Sequence, residues 1–282
     1  VKILVTGFNG KVGFEVAMKA KEMNISLVCA VRNVELAKKK YGDQFEFVCL
    51  DFARPETFSE ALNGVDRIFL MYPPGDNIKF DTFIDKAREN GIKHVVYLSL
   101  KDVQFMPFVH HFKNEKLIKR SKIPYTFLRA GYFMQNLTDF LYKEIKERKR
   151  IFVPAGKGKT SFVDARDIAE MAVVSLLHIE DHKNKKYVIT GDEALNFFEV
   201  AKIMSEVLNT EIIYENPSAK EFKAFMIKNG GNEEFINVVV GIHIPTKLGL
   251  AKGIVVDDIK KLTNKSPRRL RNYIEDYKES WI

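Results

Sequence analysis

Residues 1–14 read VKILVTGFNGKVGF, and the fold turns on this stretch. Apart from Lys2, Val1 to Val5 are apolar and rich in β-branched residues with no helical period, the pattern of a parallel strand buried on both faces. Thr6 and Gly7 break the run, and Gly7, Gly10 and Gly13 follow at even spacing. Val12, Val16, Ala17, Ala20 and Met23 then recur at helical intervals up to Asn24. Strand, glycine turn and helix in that order are the start of a nucleotide-binding βα unit. The first glycine turns the chain, the second leaves room for a diphosphate, and the third brings the helix close to the sheet. Free N–H groups at the helix start then face the anion. A glycine triplet alone is weak, since an ordinary βα turn also uses glycine; the flanking strand and helix give it meaning. Thr6, Gly7, Phe8, Asn9, Gly10, Lys11, Val12 and Gly13 are therefore the expected dinucleotide-contact residues.

Working outward, the second strand runs from Ile25 to Val31 and ends at Arg32, 19 residues past Gly13. An NAD-preferring protein carries an acid here to hold the ribose 2′-hydroxyl; a guanidinium instead matches a 2′-phosphate. NADP(H) is the expected cofactor, with NAD(H) left open and a plain surface arginine as the alternative. A third strand, Phe45 to Leu50, leads to Asp51, placed either beside an adenine or as the cap of the next turn. Pro55 to Leu62 reads as helix and Val65 to Met71 as a fourth strand. Tyr72-Pro73-Pro74-Gly75 then reads as a loop, which makes Met71 and Tyr72 contact candidates. A helix over Asn77 to Asn90 and a fifth strand, His94 to Leu98, lead to Ser99, a further candidate. This alternation predicts an α/β Rossmann fold with a doubly wound parallel sheet; the chain's length allows a smaller domain besides, and the family resemblance given below implies a smaller C-terminal α+β lobe. The dinucleotide-binding domain is expected over 1–150, and 151–282 completes the sheet and forms the smaller lobe.

The spacing GxxGxxG resembles that of the extended and atypical short-chain dehydrogenase/reductases. Two Tyr…Lys pairs have the catalytic spacing of those enzymes, Tyr97…Lys101 and Tyr142…Lys146. Tyr97 falls inside strand five and Tyr142 falls beyond strand six, so both read as coincidental. The helix expected over Val109 to Arg120 contains no tyrosine. The segment HHFKNEKLIKRSKIPYTFLRAGYFMQNL, His110 to Leu137, resembles the NmrA-like branch of the atypical group and, within it, the type-2 NADPH quinone oxidoreductases. The resemblance continues through Phe152 to Gly156, Asp167-Ile168-Ala169, Thr190-Gly191-Asp192 and Tyr214, and so spans nearly the whole chain.

That resemblance implies hydride transfer from NADPH to a quinone or similar flat electrophile. Gly131, Tyr132 and Phe133 offer close backbone approach and ring faces to the nicotinamide; core packing is the alternative for the aromatics. His111 and Asn136 are the candidates for steadying an oxyanion, His111 being equally readable as structural. A non-catalytic cofactor sensor of the NmrA type, acting on a protein partner, is the rival reading. Asp167 is expected to cap an apolar helix, and the C-terminal helices are expected over Lys220–Asn229, Glu233–Val240, Asp257–Lys261 and Pro267–Tyr277.

Composition narrows the classes. Cys29 and Cys49 lie in strands without metal-ligand spacing, so no metal is expected. Lysine and arginine number 45 against 37 acids, a net charge of +8. The basic clusters Lys38–Lys40, Arg148–Arg150 and Arg268–Arg271 carry no nucleic-acid motif, so nucleic acid is not the expected partner. No apolar run is long enough for a bilayer, and the first strand starts at the first residue. A cytoplasmic monomer or homodimer with no membrane contact is the expectation.

Overall fold

The computed structural model describes residues 1–251 and 253–281 and divides into two compact units. The first comprises 1–130, 165–189 and 258–265; the second comprises 131–164, 190–257 and 266–282. The chain therefore leaves and re-enters each unit, a path that the local residue pattern does not signal.

The first unit is built on seven strands: β1 (Lys2–Val5), β2 (Ser26–Val31), β3 (Phe47–Cys49), β4 (Arg67–Leu70), β5 (His94–Leu100), β6 (Tyr125–Ala130) and β7 (Lys185–Ile189). Their spatial order is β7-β6-β5-β4-β1-β2-β3, and every neighbouring pair is parallel. The expected Rossmann sheet is present. Its winding reverses between β1 and β4, and the carboxyl ends at such a reversal are where ligands of this fold bind. Ile3 to Val5, Ile68 to Leu70 and Val95 to Tyr97 are fully buried, which is why these strands read as continuous apolar runs.

Helices α1 (Lys11–Glu22), α2 (Val34–Tyr41), α3 (Phe58–Ala61), α4 (Phe80–Glu89), α5 (His110–Ser121) and α6 (Ala165–Leu177) accompany the sheet. α1 packs on α6 and α4 packs on α5. Beneath α3 and α4, Phe52 meets Phe58, Phe80 and Phe83 with ring centroids 4.9–6.2 Å apart. Each such ring contributes roughly 1.5–3 kcal/mol on burial.

Several element limits differ from expectation for identifiable reasons. β3 begins at Phe47, because Phe45 turns into an aromatic cluster with Phe8, Tyr41 and Phe47. α4 begins at Phe80, because Asn77 has a left-handed φ of 56°. Asp167 lies within the first turn of α6 and is buried there, so it is not the residue before the helix that a cap requires.

The second unit holds a three-stranded sheet of Tyr132–Phe133, Thr160–Val163 and Ala194–Leu195, and a two-stranded pair of Arg150–Ile151 with Ile213–Tyr214. Around Tyr132, Phe162, Phe197 and Met204 the helices Phe197–Leu208, Glu233–Lys247 and Leu270–Asp276 close a core. The helix from Glu233 runs to Lys247, well past the expected end at Val240. Gly241 and Pro245 lie inside it, and although Pro245 lacks the N–H that would bond the Gly241 carbonyl, the buried face of Ile236, Val239, Val240, His243 and Thr246 carries the helix through. The basic clusters here are largely paired: Arg148 and Arg150 with Glu144, Arg150 with Glu215, Arg269 with Asp192, and Arg271 with Glu206. No helix among the described residues is long and apolar enough to cross a membrane, and no cluster of potential metal ligands occurs among them.

Candidate functional site

The turn between β1 and α1 is held from beneath. The Met71 backbone N–H donates to Thr6 Oγ1 at 2.8 Å, which ties the ends of β1 and β4 together at the sheet reversal. Gly7 has φ +67°, and a Cβ there would sit 2.8 Å from Met71 Sδ. Gly10 N–H donates to the Gly7 carbonyl at 2.9 Å and closes the turn. A Cβ on Gly13 would lie 2.2 Å from Gly7 O and 2.5 Å from Gly7 C, so this helix start rests directly on the preceding backbone. Phe8 and Val12, counted with the turn on sequence grounds, bury their side chains; Gly7, Asn9, Gly10 and Lys11 are exposed.

The α1 N-terminus has no side-chain cap and no acid in its first turn. The leading N–H groups of a helix have no intrahelical partners, and they carry a partial positive charge. An exposed glycine turn before such an end fits a diphosphate. Arg32 is exposed at the end of β2, and no acid replaces it there. Asp51 follows β3: its Oδ1 accepts from Ala53 N–H at 3.0 Å, and its own N–H donates to Thr57 Oγ1. Of the two readings of Asp51, this geometry is that of the turn cap.

Along the same carboxyl edge, Tyr72 stacks on His110, with centroids 4.9 Å apart and planes 17° from parallel. Its ring is also 6.1 Å from that of His111. His111 Nδ1 lies 2.8 Å from Tyr97 Oη, and Asn114 Nδ2 donates to the same oxygen at 3.1 Å. Burial lowers the His111 pKa to about 4, with Glu115 opposing and His110 reinforcing the shift, so the ring is neutral at pH 7. Burial also raises the Tyr97 phenol far above the ordinary value, so it keeps its proton.

Ser99 is buried, and its Oγ donates to Glu115 Oε1 at 2.8 Å. Glu115 in turn takes two bonds from Arg129, Nε at 2.9 Å and Nη2 at 2.7 Å, while Arg129 Nη1 reaches Gln104 at 2.9 Å. This bidentate pair fixes α5 to β6 beside the histidine.

Sequence reading named His111, Ser99, Met71 and Tyr72, and the first unit brings them onto one edge. It missed Tyr97, His110 and Asn114. Tyr97 was set aside as a misplaced member of a Tyr–Lys pair; its hydroxyl instead meets the imidazole. A signal was available, since Tyr97 and Ser99 alternate onto one face of β5, and His111, Asn114 and Glu115 recur at helical spacing on α5. Gly131, Tyr132, Phe133 and Asn136 belong to the second unit. There the Tyr132 hydroxyl is 3.0 Å from His243 Nε2, and Asn136 also bonds to the phenol. Tyr132 is buried, with its pKa raised by burial; Phe133 and Asn136 are half-buried.

Comparisons with known proteins agree in kind. The chain is 28% identical over 279 residues to the NAD(P)H azoreductase of Xenophilus azovorans, covering 96% of each. It is 27% identical to triphenylmethane reductase from Citrobacter sp., solved in complex with NADP(H), with a TM-score of 0.85 and coverage of 98% of this chain and 99% of that one. The Escherichia coli NADPH-dependent quinone oxidoreductase QOR2, 22% identical, shares the fold at a TM-score of 0.85 over 98% and 99% of the two chains. The expected resemblance to NmrA-like proteins is borne out. A glycine turn at the sheet reversal, an uncapped helix start and a family model matching residues 1–273 together establish that this chain belongs to the NmrA-like family.

Proposed function

We propose that the protein is an NADPH-dependent reductase that passes hydride to a quinone or a similarly flat electrophile. The observation that carries this reading is the uncapped α1 N-terminus behind Gly7–Gly10, with exposed Arg32, not an acid, at the end of β2. The full-length similarity to an NAD(P)H azoreductase and to a triphenylmethane reductase supports it, since both names describe reduction of conjugated acceptors. The bound nicotinamide would supply the hydride. The chain's own residues bind and orient. The α1 N–H groups hold the diphosphate, Arg32 pairs with the 2′-phosphate, and Met71 and Tyr72 border the dinucleotide. His111 faces the charge that builds on the acceptor oxygen. A hydroquinone oxyanion is delocalised, so a tyrosine–lysine acid is dispensable for this acceptor.

Consumption of NADPH with a panel of benzo- and naphthoquinones tests the reading. Saturable turnover, lost when Gly10→Trp fills the turn, is the expected result; tight cofactor binding without turnover of any acceptor would overturn it in favour of a sensor. Arg32→Ala should weaken NADPH roughly 10- to 100-fold and NADH less than threefold by equilibrium binding, the loss of a charge-assisted contact. Equal losses would remove the 2′-phosphate assignment.

A further inference from the structure

We propose that Tyr97 and Asn114 are positioning residues that hold His111 in the tautomer whose Nε2–H donates a hydrogen bond to the acceptor's carbonyl oxygen. The inference rests on the reductase reading for the identity of the acceptor, and on geometry for the tautomer.

The donors and acceptors determine one arrangement. Asn114 Nδ2 has only protons to offer, so the Tyr97 oxygen accepts from it. The single phenolic proton then points the other way, at His111 Nδ1, 2.8 Å distant. Nδ1 accepts that proton's hydrogen bond, and in a neutral imidazole the ring proton must therefore reside on Nε2. The same arrangement follows from burial. Tyr97 is wholly enclosed, packed against Phe80 at 5.9 Å and Phe127 at 6.2 Å, so its phenol has no water as an alternative partner. Nε2 has no hydrogen-bond partner among the described residues and is not among their sealed, unpartnered atoms. It is left to an incoming molecule, on a helix whose first residue stacks on Tyr72.

His111 then acts as a fixed neutral donor and keeps its proton throughout. Bound NADPH would supply the hydride, becoming NADP+; the hydride's proton and electron pair convert the quinone to its hydroquinone monoanion, whose charge is shared onto the oxygen facing Nε2–H, and a proton taken from water, with hydroxide released to solvent, completes the hydroquinone. A neutral donor of this kind stabilises the developing charge without changing protonation state, so its contribution is constant across neutral pH. The groups that face the ring are Tyr97, Asn114, His110, Tyr72 and, one turn further along the helix, Glu115.

The test is the histidine tautomer itself, read by long-range 1H–15N correlation on 15N-histidine-labelled full-length protein, with the His111 signals identified by their absence in His111→Gln. The expected spectrum shows Nε2 protonated and Nδ1 not, at pH 6 and at pH 8. In Tyr97→Phe the lock is removed: a mixture of tautomers appears, and kcat with a quinone falls in proportion to the His111 fraction that has lost its Nε2 proton, about twofold for an even mixture, while NADPH affinity stays unchanged. Asn114→Leu should mix the tautomers in the same way, and serves where Tyr97→Phe folds poorly. A wild-type His111 protonated on Nδ1 would overturn the proposal, as would an unchanged tautomer in both variants. The tautomer is measured without turnover. A protein that reduces no quinone would therefore sink the reductase reading while the tautomer result still stood or fell by itself.

Discussion

Gly13→Ala is expected to cost the protein about 2–3 kcal/mol of stability and its tight hold on NADPH together. The added Cβ would lie 2.2 Å from Gly7 O, 2.5 Å from Gly7 C and 2.9 Å from Thr6 O, and all three are backbone atoms. No rotamer relieves such an overlap. The α1 start must lift off the turn, and the N–H groups that face the diphosphate lift with it. At this chain length the loss corresponds to a Tm lower by roughly 4–12 °C. NADPH affinity should fall at least tenfold by calorimetric titration. Gly10→Ala is the informative contrast. Its Cβ would meet Gly7 O at 3.3 Å and be open on its other sides, so stability should hold while NADPH binding suffers. A Gly13→Ala protein with wild-type Tm and affinity would show that the turn is not built as described.

Lowering the pH from 7.5 to 5 is expected to destabilise both units, and three histidines, His94 and His243 buried and His111 half-buried, set the sign. Burial lowers His94, His111 and His243 to about 4, against an ordinary value of 6.5. His94 keeps Nε2 on Thr126 Oγ1 at 3.0 Å, and its Nδ1 has no partner. His243 spans Val239 O at 2.7 Å and the Tyr132 hydroxyl at 3.0 Å. In the unfolded chain each ring takes up a proton near pH 6.5; in the folded chain none does until about pH 4. The unfolded state therefore binds more protons throughout that window, so stability falls with pH from about 6.5 and levels off below 4. By pH 5 each fully buried ring accounts for about 2 kcal/mol. His94 and His111 act on the first unit and His243 on the second. Denaturant midpoints at pH 7.5 and 5.0 check this directly, and His243→Gln should reduce the fall in stability between the two pH values. An identical fall in that variant would show that His243 is protonated in the fold.

The parts of the fold legible in the sequence are those set by neighbours along the chain. A strand buried on both faces must be apolar at every position, so Ile3 to Val5, Ile68 to Leu70 and Val95 to Leu98 announced themselves, and the glycine spacing marked the turn between β1 and α1. Arg32 was legible because its distance from Gly13 is fixed by one helix and one strand. Boundaries set by tertiary packing were not. Phe45 has the composition of a strand, but its ring joins the cluster with Phe8 and Tyr41, and the helix from Glu233 outlasts its Gly and Pro because its buried face holds it to Lys247.

The sequence by itself determined the doubly wound sheet, the nucleotide turn and the family, because those follow from periodicity and from spacings a few residues long. Tertiary structure alone decided which polar groups of the candidate site are committed and which are left for a ligand. Ser99 gives its hydroxyl to Glu115, while Tyr97, 14 residues before His111 and on a different element, has its hydroxyl 2.8 Å from Nδ1, and Nε2 has no partner among the described residues. That pairing depends on how α5 lies against β5, a register set by the Phe80 and Phe127 packing around Tyr97 and by the Arg129–Glu115 pair. A hydrogen bond is a matter of tenths of an ångström between atoms brought together by the whole sheet, and no local pattern encodes it.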